Sequence, residues 1–223
     1  YSRFEFHVIY QSFNVFCTVE LSAQYLDILK DRLYTSRTDA LERRSSQTAM
    51  FIITDTLTRL LAPLISFTAD EIWQFLPGAR EASIHLALFP ALTPERRDDQ
   101  LAALWARLFD VRADVLKALE LKRVEKEIGH PLDAAVQLAA PAETIAFMND
   151  YLDKLRAICI VSSLDLAEEL PAEAYAGTVV DGLRVLVQKA PGEKCERCWC
   201  YSEALGSHPE HPSICPKCTA AVL

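Results

Sequence analysis

The chain has 223 residues, a formal charge of −8 and 51% hydrophobic residues, enough to bury at least one sizeable core. No apolar run approaches the ~20 residues that a membrane-spanning helix needs, and the acidic balance argues against a general electrostatic binder of nucleic acid. The charge is uneven, however: residues 1–60 carry seven basic and seven acidic groups, 93–128 eight of each and 189–223 four of each, so these stretches leave room for a local phosphate-binding face.

The opening YSRFEFHVIYQSF has no initiator Met, basic n-region or cleavage site, so a start inside a longer protein is expected. Phe4, Val8, Ile9, Phe13 and Phe16 recur at helical spacing, and Leu21, Tyr25, Leu26, Ile28, Leu29 and Leu33 predict a second helix. A third runs from Asp39 to Leu61 and is interrupted by Pro63. Thr68-Ala-Asp-Glu71 reads as a capping box opening a short helix with Ile72, Trp73, Phe75 and Leu76. Thr93-Pro94 is expected to start a long helix, with Leu101, Leu104, Trp105, Leu108, Val115 and Leu119 inward and Gly129 closing it. Lys122, Arg123 and Lys126 alternate with Glu120, Glu125 and Glu127 and read as a solvated, salt-bridged surface. Trp73 and Trp105 read as core. Beyond Pro131 the texture changes: Ala135–Ala139 alternates weakly, Thr144–Leu155 predicts a helix and Ala157–Leu166 a strand. Thr178–Val180 and Leu183–Val187 flank Asp181-Gly182 as a two-residue hairpin. The fold class predicted is mainly α: a helical bundle over 1–130, a small α+β domain over 131–188 and a four-cysteine element over 189–223.

That last element, CERCWCYSEALGSHPEHPSICPKC over residues 195–218, carries most of the chemistry. Cys195-x2-Cys198 and Cys215-x2-Cys218 stand sixteen residues apart, the spacing of a zinc knuckle or ribbon. Two thiolates three positions apart on a tight turn reach one tetrahedral ion, and the second pair closes the loop. Four thiolates leave zinc no open position for water, so one structural ion per chain is expected rather than a catalytic one. Thiols reserved for metal also argue for a reducing, cytosolic compartment. Cys200, one residue past Cys198, reads as a spectator. His208 and His211, beside Pro209 and Pro212, are expected at an exposed loop tip.

The blocks LSAQYLDILKDRLY, RRSSQTAM and APLISFTADEIWQFLP, followed by ALELKRVEKEIG, GEKCERCW and CPKC, closely resemble the C-terminal region of bacterial-type isoleucyl-tRNA synthetases. The FTADEIW block is similar to one shared with the valine and leucine enzymes; joining it to the four-cysteine end narrows the resemblance to the isoleucine family. It implies that 1–130 is an anticodon-binding domain and 131–188 a junction domain leading to the zinc element, together gripping the anticodon stem-loop of tRNA(Ile). It further implies a catalytic body that activates isoleucine with ATP, charges the tRNA and edits valine. The HIGH and KMSKS signatures are absent, so no catalytic residue is expected in this chain, and ATP belongs only to the missing body. Ile128-Gly129-His130 imitates HIGH by coincidence, and His130-Pro131 departs from the small or amide residues more usual in the family. A monomer is expected.

On this resemblance Arg37, Arg43, Arg44 and Gln47 become the RNA-facing candidates of the bundle. Arg43 and Gln47, four apart, share a helix face suited to a phosphate and a base edge; the competing reading is a solvated face with an Asp39–Arg43 pair. In the zinc element Arg197 and Trp199 flank Cys198 and are expected to present a guanidinium and an indole to unstacked bases, against a reading in which Trp199 packs over the metal loop. The main functional alternative is a zinc-ribbon adapter that binds another protein; a DNA-repair glycosylase fragment shares only the terminal finger.

Overall fold

A computed structural model describes all residues 1–223, which form two compact units, Tyr1–Arg97 and Asp98–Leu223. The first unit is helical. Helix α1 (Phe6–Val15) passes without a break through a π-wound stretch, Phe16–Leu26, into α2 (Asp27–Thr35), both junctions keeping right-handed helical dihedrals. The two helices expected here are thus one rod, because no residue between them breaks the backbone ladder. Helix α3 spans Leu41–Leu61 and α4 Ser66–Phe75. Thr68 lies inside α4 rather than capping it. Its expected partner role passes to Asp70, whose carboxylate accepts the Ser83 hydroxyl (2.7 Å) and the Ile84 amide (2.9 Å) and ties the following 3-10 turn, Ile84–Leu86, to the helix.

Trp73 is the centre of a small core with Ala62, Ala69 and Ile84. Its indole N–H donates to the Glu81 carbonyl at 2.9 Å, and the Arg59 and Arg80 guanidinium groups lie 5.2 and 4.4 Å from its ring centre. Asp55 sits between the two arginines, 3.0 Å from Arg59 and 3.8 Å from Arg80, so the carboxylate holds both cations against the ring.

At the end of the first unit Pro94–Arg96 forms only a 3-10 turn; the second unit opens with the long helix α5, which begins later than expected, at Asp99, where the Asp98 carboxylate caps the Leu101 amide at 2.9 Å. Helix α5 (Asp99–Val124) is followed by β1 (Ala134–Ala139), α6 (Ala142–Asp150), α7 (Leu152–Cys159) and β2 (Ser163–Leu166). Strands β3 (Tyr175–Ala176) and β4 (Arg184–Lys189) complete a sheet ordered β2-β1-β4-β3, with β1 parallel to β2 and antiparallel to β4. The strand expected over 157–166 is therefore split: its first residues finish α7, and only 163–166 pair. Leu108, Val111, Val115 and Leu119 on one side of α5 are buried, as are Val136, Leu138, Val185 and Val187 on the sheet and Leu155 and Ile158 on α7. Helix α5 packs on β4 and α7. The stripe from Leu108 to Leu119 is covered by the sheet and α7, so the helix packs with the second unit, whereas Leu101 is exposed and Leu104 and Trp105, expected in the core, are only half-buried.

Two charged groups inside this unit fix its loops. Arg112 donates through Nε to the Ile158 carbonyl at 2.8 Å, holding the end of α7 where Ile160 turns left-handed (φ 57°). Beside it, burial pushes the Cys159 thiol up to about 12, so it is inert. Asp114, 1% exposed, accepts the amides of Thr178, Val179 and Val180 at 2.8–3.2 Å. This capture is why the expected hairpin arm 178–180 is not a strand. The turn itself survives, Leu183 donating back to Val180 and Gly182 adopting φ +69°, but β4 pairs instead with Tyr175–Ala176. The chain ends in β5 (Glu193–Lys194), β6 (Tyr201–Ser202) and α8 (Pro216–Val222). As read from the sequence, the fold is mainly α, with small sheets and a four-cysteine cluster near the end. No helix is long and apolar enough to cross a membrane.

Candidate zinc centre and RNA-facing surface

Strands β5 and β6 pair in register Lys194 with Tyr201, and the six residues between them form a knuckle. The Cys195 amide donates to the Cys200 carbonyl and the Trp199 amide to the Cys195 carbonyl, each at 2.9 Å. Trp199 closes the turn in the left-handed region, φ +67°. Gly192 (φ +84°) precedes the knuckle, where an added Cβ would lie 2.4 Å from the Ser202 backbone. The second cysteine pair sits at the start of α8, with Cys215 at its N-cap and Pro216 in the first turn, where its missing N–H costs nothing.

The four sulfurs of Cys195, Cys198, Cys215 and Cys218 lie within 4.8 Å of one another, and Cys198 and Cys215 are 3.7 Å apart. Tetrahedral zinc with Zn–S bonds of about 2.3 Å requires sulfur–sulfur edges of about 3.8 Å, so the cluster fits the ion. Cys195 and Cys218 are fully buried and Cys215 nearly so, packed with Leu205 and Ile214. Burial would raise the Cys195 thiol, but backbone N–H groups of Cys198, Cys215 and Arg197 outweigh it and bring it to about 6. Cys198, hydrogen-bonded to the Cys200 thiol and partly buried, is pushed well above the ordinary value, and burial raises Cys215 and Cys218. Four thiolates this close therefore need a cation to coexist. Cys200, His208 and His211 stand outside the cluster. The two histidines are half-buried rather than exposed, their rings 5.5 Å apart, because the loop carrying them folds back on itself: the His211 amide donates to the His208 carbonyl.

Trp199 does not cover the metal loop. It is 59% exposed, and the Lys194 ammonium stands 5.8 Å from its ring centre. Arg197 is half-buried, and its side chain hydrogen-bonds the Cys218 sulfur. In the helical unit, Arg37 is exposed in the turn after α2 and pairs with Asp39 at 3.2 Å. Asp39 thus does not pair with Arg43, which instead donates to the Ser36 carbonyl at 3.2 Å and closes the turn between α2 and α3. Arg44 and Gln47 are exposed on α3. The Ile128-Gly129-His130 fragment is a structural turn: Ile128 is buried, and the Asp133 carboxylate accepts the Gly129 and His130 amides at 3.1 and 2.8 Å. Of the cations read as salt-bridged at the end of α5, Lys122 is held by Glu125 and Glu127 and Arg123 by Glu120, whereas Lys126 has no ion pair.

A helical unit is thus joined in sequence to an α+β unit bearing a knuckle whose four cysteines fit zinc. Residues 1–138 match the family model described as the anticodon-binding domain of tRNA ligase, and residues 192–221 match the zinc finger found in FPG and IleRS. The chain belongs to the tRNA ligase anticodon-binding family, with a structural zinc finger at its end. It is 54% identical to an isoleucine–tRNA ligase of Geobacter sulfurreducens, 49% to that of Syntrophotalea carbinolica and 41% to that of Klebsiella pneumoniae. Each similarity covers all of this chain but 24% of the relative, so the chain spans about a quarter of these curated proteins.

Proposed function

We propose that the chain is the C-terminal tRNA-binding part of an isoleucine–tRNA ligase and that it grips the anticodon stem-loop of tRNA(Ile). Isoleucine activation with ATP, transfer to tRNA and hydrolysis of mischarged valine belong to the catalytic body of the same enzyme, its other partner. The zinc is structural, one ion per chain, and the protein works in the cytoplasm as a monomer. Residues 1–130 act as the anticodon-binding domain, 131–188 as the junction and 189–223 as the zinc element. Arg37, Arg43, Arg44 and Gln47 meet the RNA from the bundle, and Arg197 and Trp199 from the zinc element.

The observation that carries this reading is Trp199, an indole held outward on a turn that zinc makes rigid. An exposed tryptophan there contributes little to folding, whereas base stacking on an aromatic side chain contributes about 1–3 kcal/mol. Its neighbours set the geometry: Arg197 braces the metal sulfur while its charge stays close to the stacked base. Trp199→Ala should keep zinc content and thermal midpoint and weaken anticodon stem-loop binding by roughly tenfold to a hundredfold. Unchanged affinity in a fluorescence anisotropy titration would remove the stacking role. A zinc-ribbon adapter has no observation in its favour, because the helical part that would have served it matches the anticodon-binding family.

A further inference from the structure

Helix α5 ends at a residue that is unusual for its conformation. Lys126 takes φ +63°, a left-handed position at the helix C-terminus where glycine or asparagine is the common choice. The turn places Lys126 on the wall of a hollow of about 400 Å³ that Arg123, Asp133, Lys189 and Tyr201 also line. Lys189, exposed at the end of β4, has no ion pair either.

The carboxylates nearby are already engaged. Glu127 is bound by Lys122 at 2.9 Å, and Asp133 accepts two amides through Oδ2 while its Oδ1 stands 4.0 Å from Lys194. Glu127 and Asp133 thus line the hollow too, but the ion pairs that hold them are with Lys122 and Lys194, and Lys126 and Lys189 are left as its two cations without an ion pair. The hollow also continues into the zinc element. Tyr201 is paired across β5 and β6 with Lys194, whose ammonium lies beside Trp199, and the Tyr201 amide is anchored to the Ser162 hydroxyl at 2.7 Å.

We propose that Lys126 and Lys189 hold the RNA phosphate backbone adjoining the base that stacks on Trp199. The proposal rests on the anticodon-loop reading above and adds residues to it. Spaced ammonium groups on an open hollow suit successive phosphodiesters, and the helix C-cap, in which the Glu127 and Lys126 amides donate to the Lys122 and Arg123 carbonyls, fixes where Lys126 stands.

The test is a titration of the zinc-loaded chain with the tRNA(Ile) anticodon stem-loop across a salt series. Lys126→Gly removes the charge and relieves the left-handed strain, so its thermal midpoint should stay or rise. Combined with Lys189→Gln, it should weaken binding roughly tenfold and flatten the slope of log K against log salt by about 1.4, the value for two single-strand phosphate contacts. Lys154→Gln, an exposed cation elsewhere on the unit, should change neither. Wild-type affinity and slope in the double variant would overturn the hollow while leaving the Trp199 reading intact. No binding of the stem-loop by the unaltered chain would overturn both.

Discussion

Cys215→Ser, or chelation of zinc from the intact chain, should unfold residues 189–223. The element has almost nothing else to hold it: two strands of two residues each, one short helix and a core of cysteines with Leu205 and Ile214. Zinc binding to such segments is worth about 10–16 kcal/mol at neutral pH, far more than this apolar contact supplies, so binding and folding are one event. Loss of a ligand should be read as loss of stoichiometric zinc together with rapid amide exchange over 195–218. Cys200→Ser should keep the ion, because Cys200 contributes its carbonyl to the knuckle and its sulfur lies outside the metal cluster. Retained zinc in Cys215→Ser, or lost zinc in Cys200→Ser, would contradict the ligand assignment.

Asp114→Ala should destabilise the second unit by about 2–4 kcal/mol, because three loop amides lose the one buried carboxylate that they share. Asp114→Asn is the sharper variant. Oδ1 accepts Thr178 and Val179, and Oδ2 accepts Val179 and Val180. Whichever position becomes an amide nitrogen would face a donor, so a change of one heavy atom should still cost about 2 kcal/mol. Gly177 belongs to the same device, since an added Cβ would lie 2.6 Å from Asp114 Oδ2. Urea unfolding followed by circular dichroism measures both variants. A wild-type midpoint for Asp114→Asn would mean that the loop is held by something else.

Asp114 also shows where sequence reading stops. The apolar stripe of α5 was legible, but a carboxylate on its inner side gives no periodic signal, and its partners lie about sixty residues away. The Asp-Gly turn was legible too, whereas the loss of its first strand was not, since that depends on the distant acid. Helix starts were misread at Thr68, where α4 begins at Ser66 without a side-chain cap, and at Thr93, where Asp98 supplies the cap of α5 instead. The four-cysteine cluster was readable because metal geometry is written in short spacings. The uncompensated charge of Lys126 was hidden by the alternation of lysine and glutamate around it, and only the left-handed turn separates it from its neighbours.

Whether this chain reads an anticodon loop is decided by competitive binding. Anticodon stem-loops of tRNA(Ile) and tRNA(Val) should be titrated against the zinc-loaded chain at two salt concentrations. The isoleucine stem-loop should bind more tightly, with both affinities falling as salt rises because phosphates carry part of the grip. Equal affinity for the two stem-loops, indifferent to salt, would contradict it.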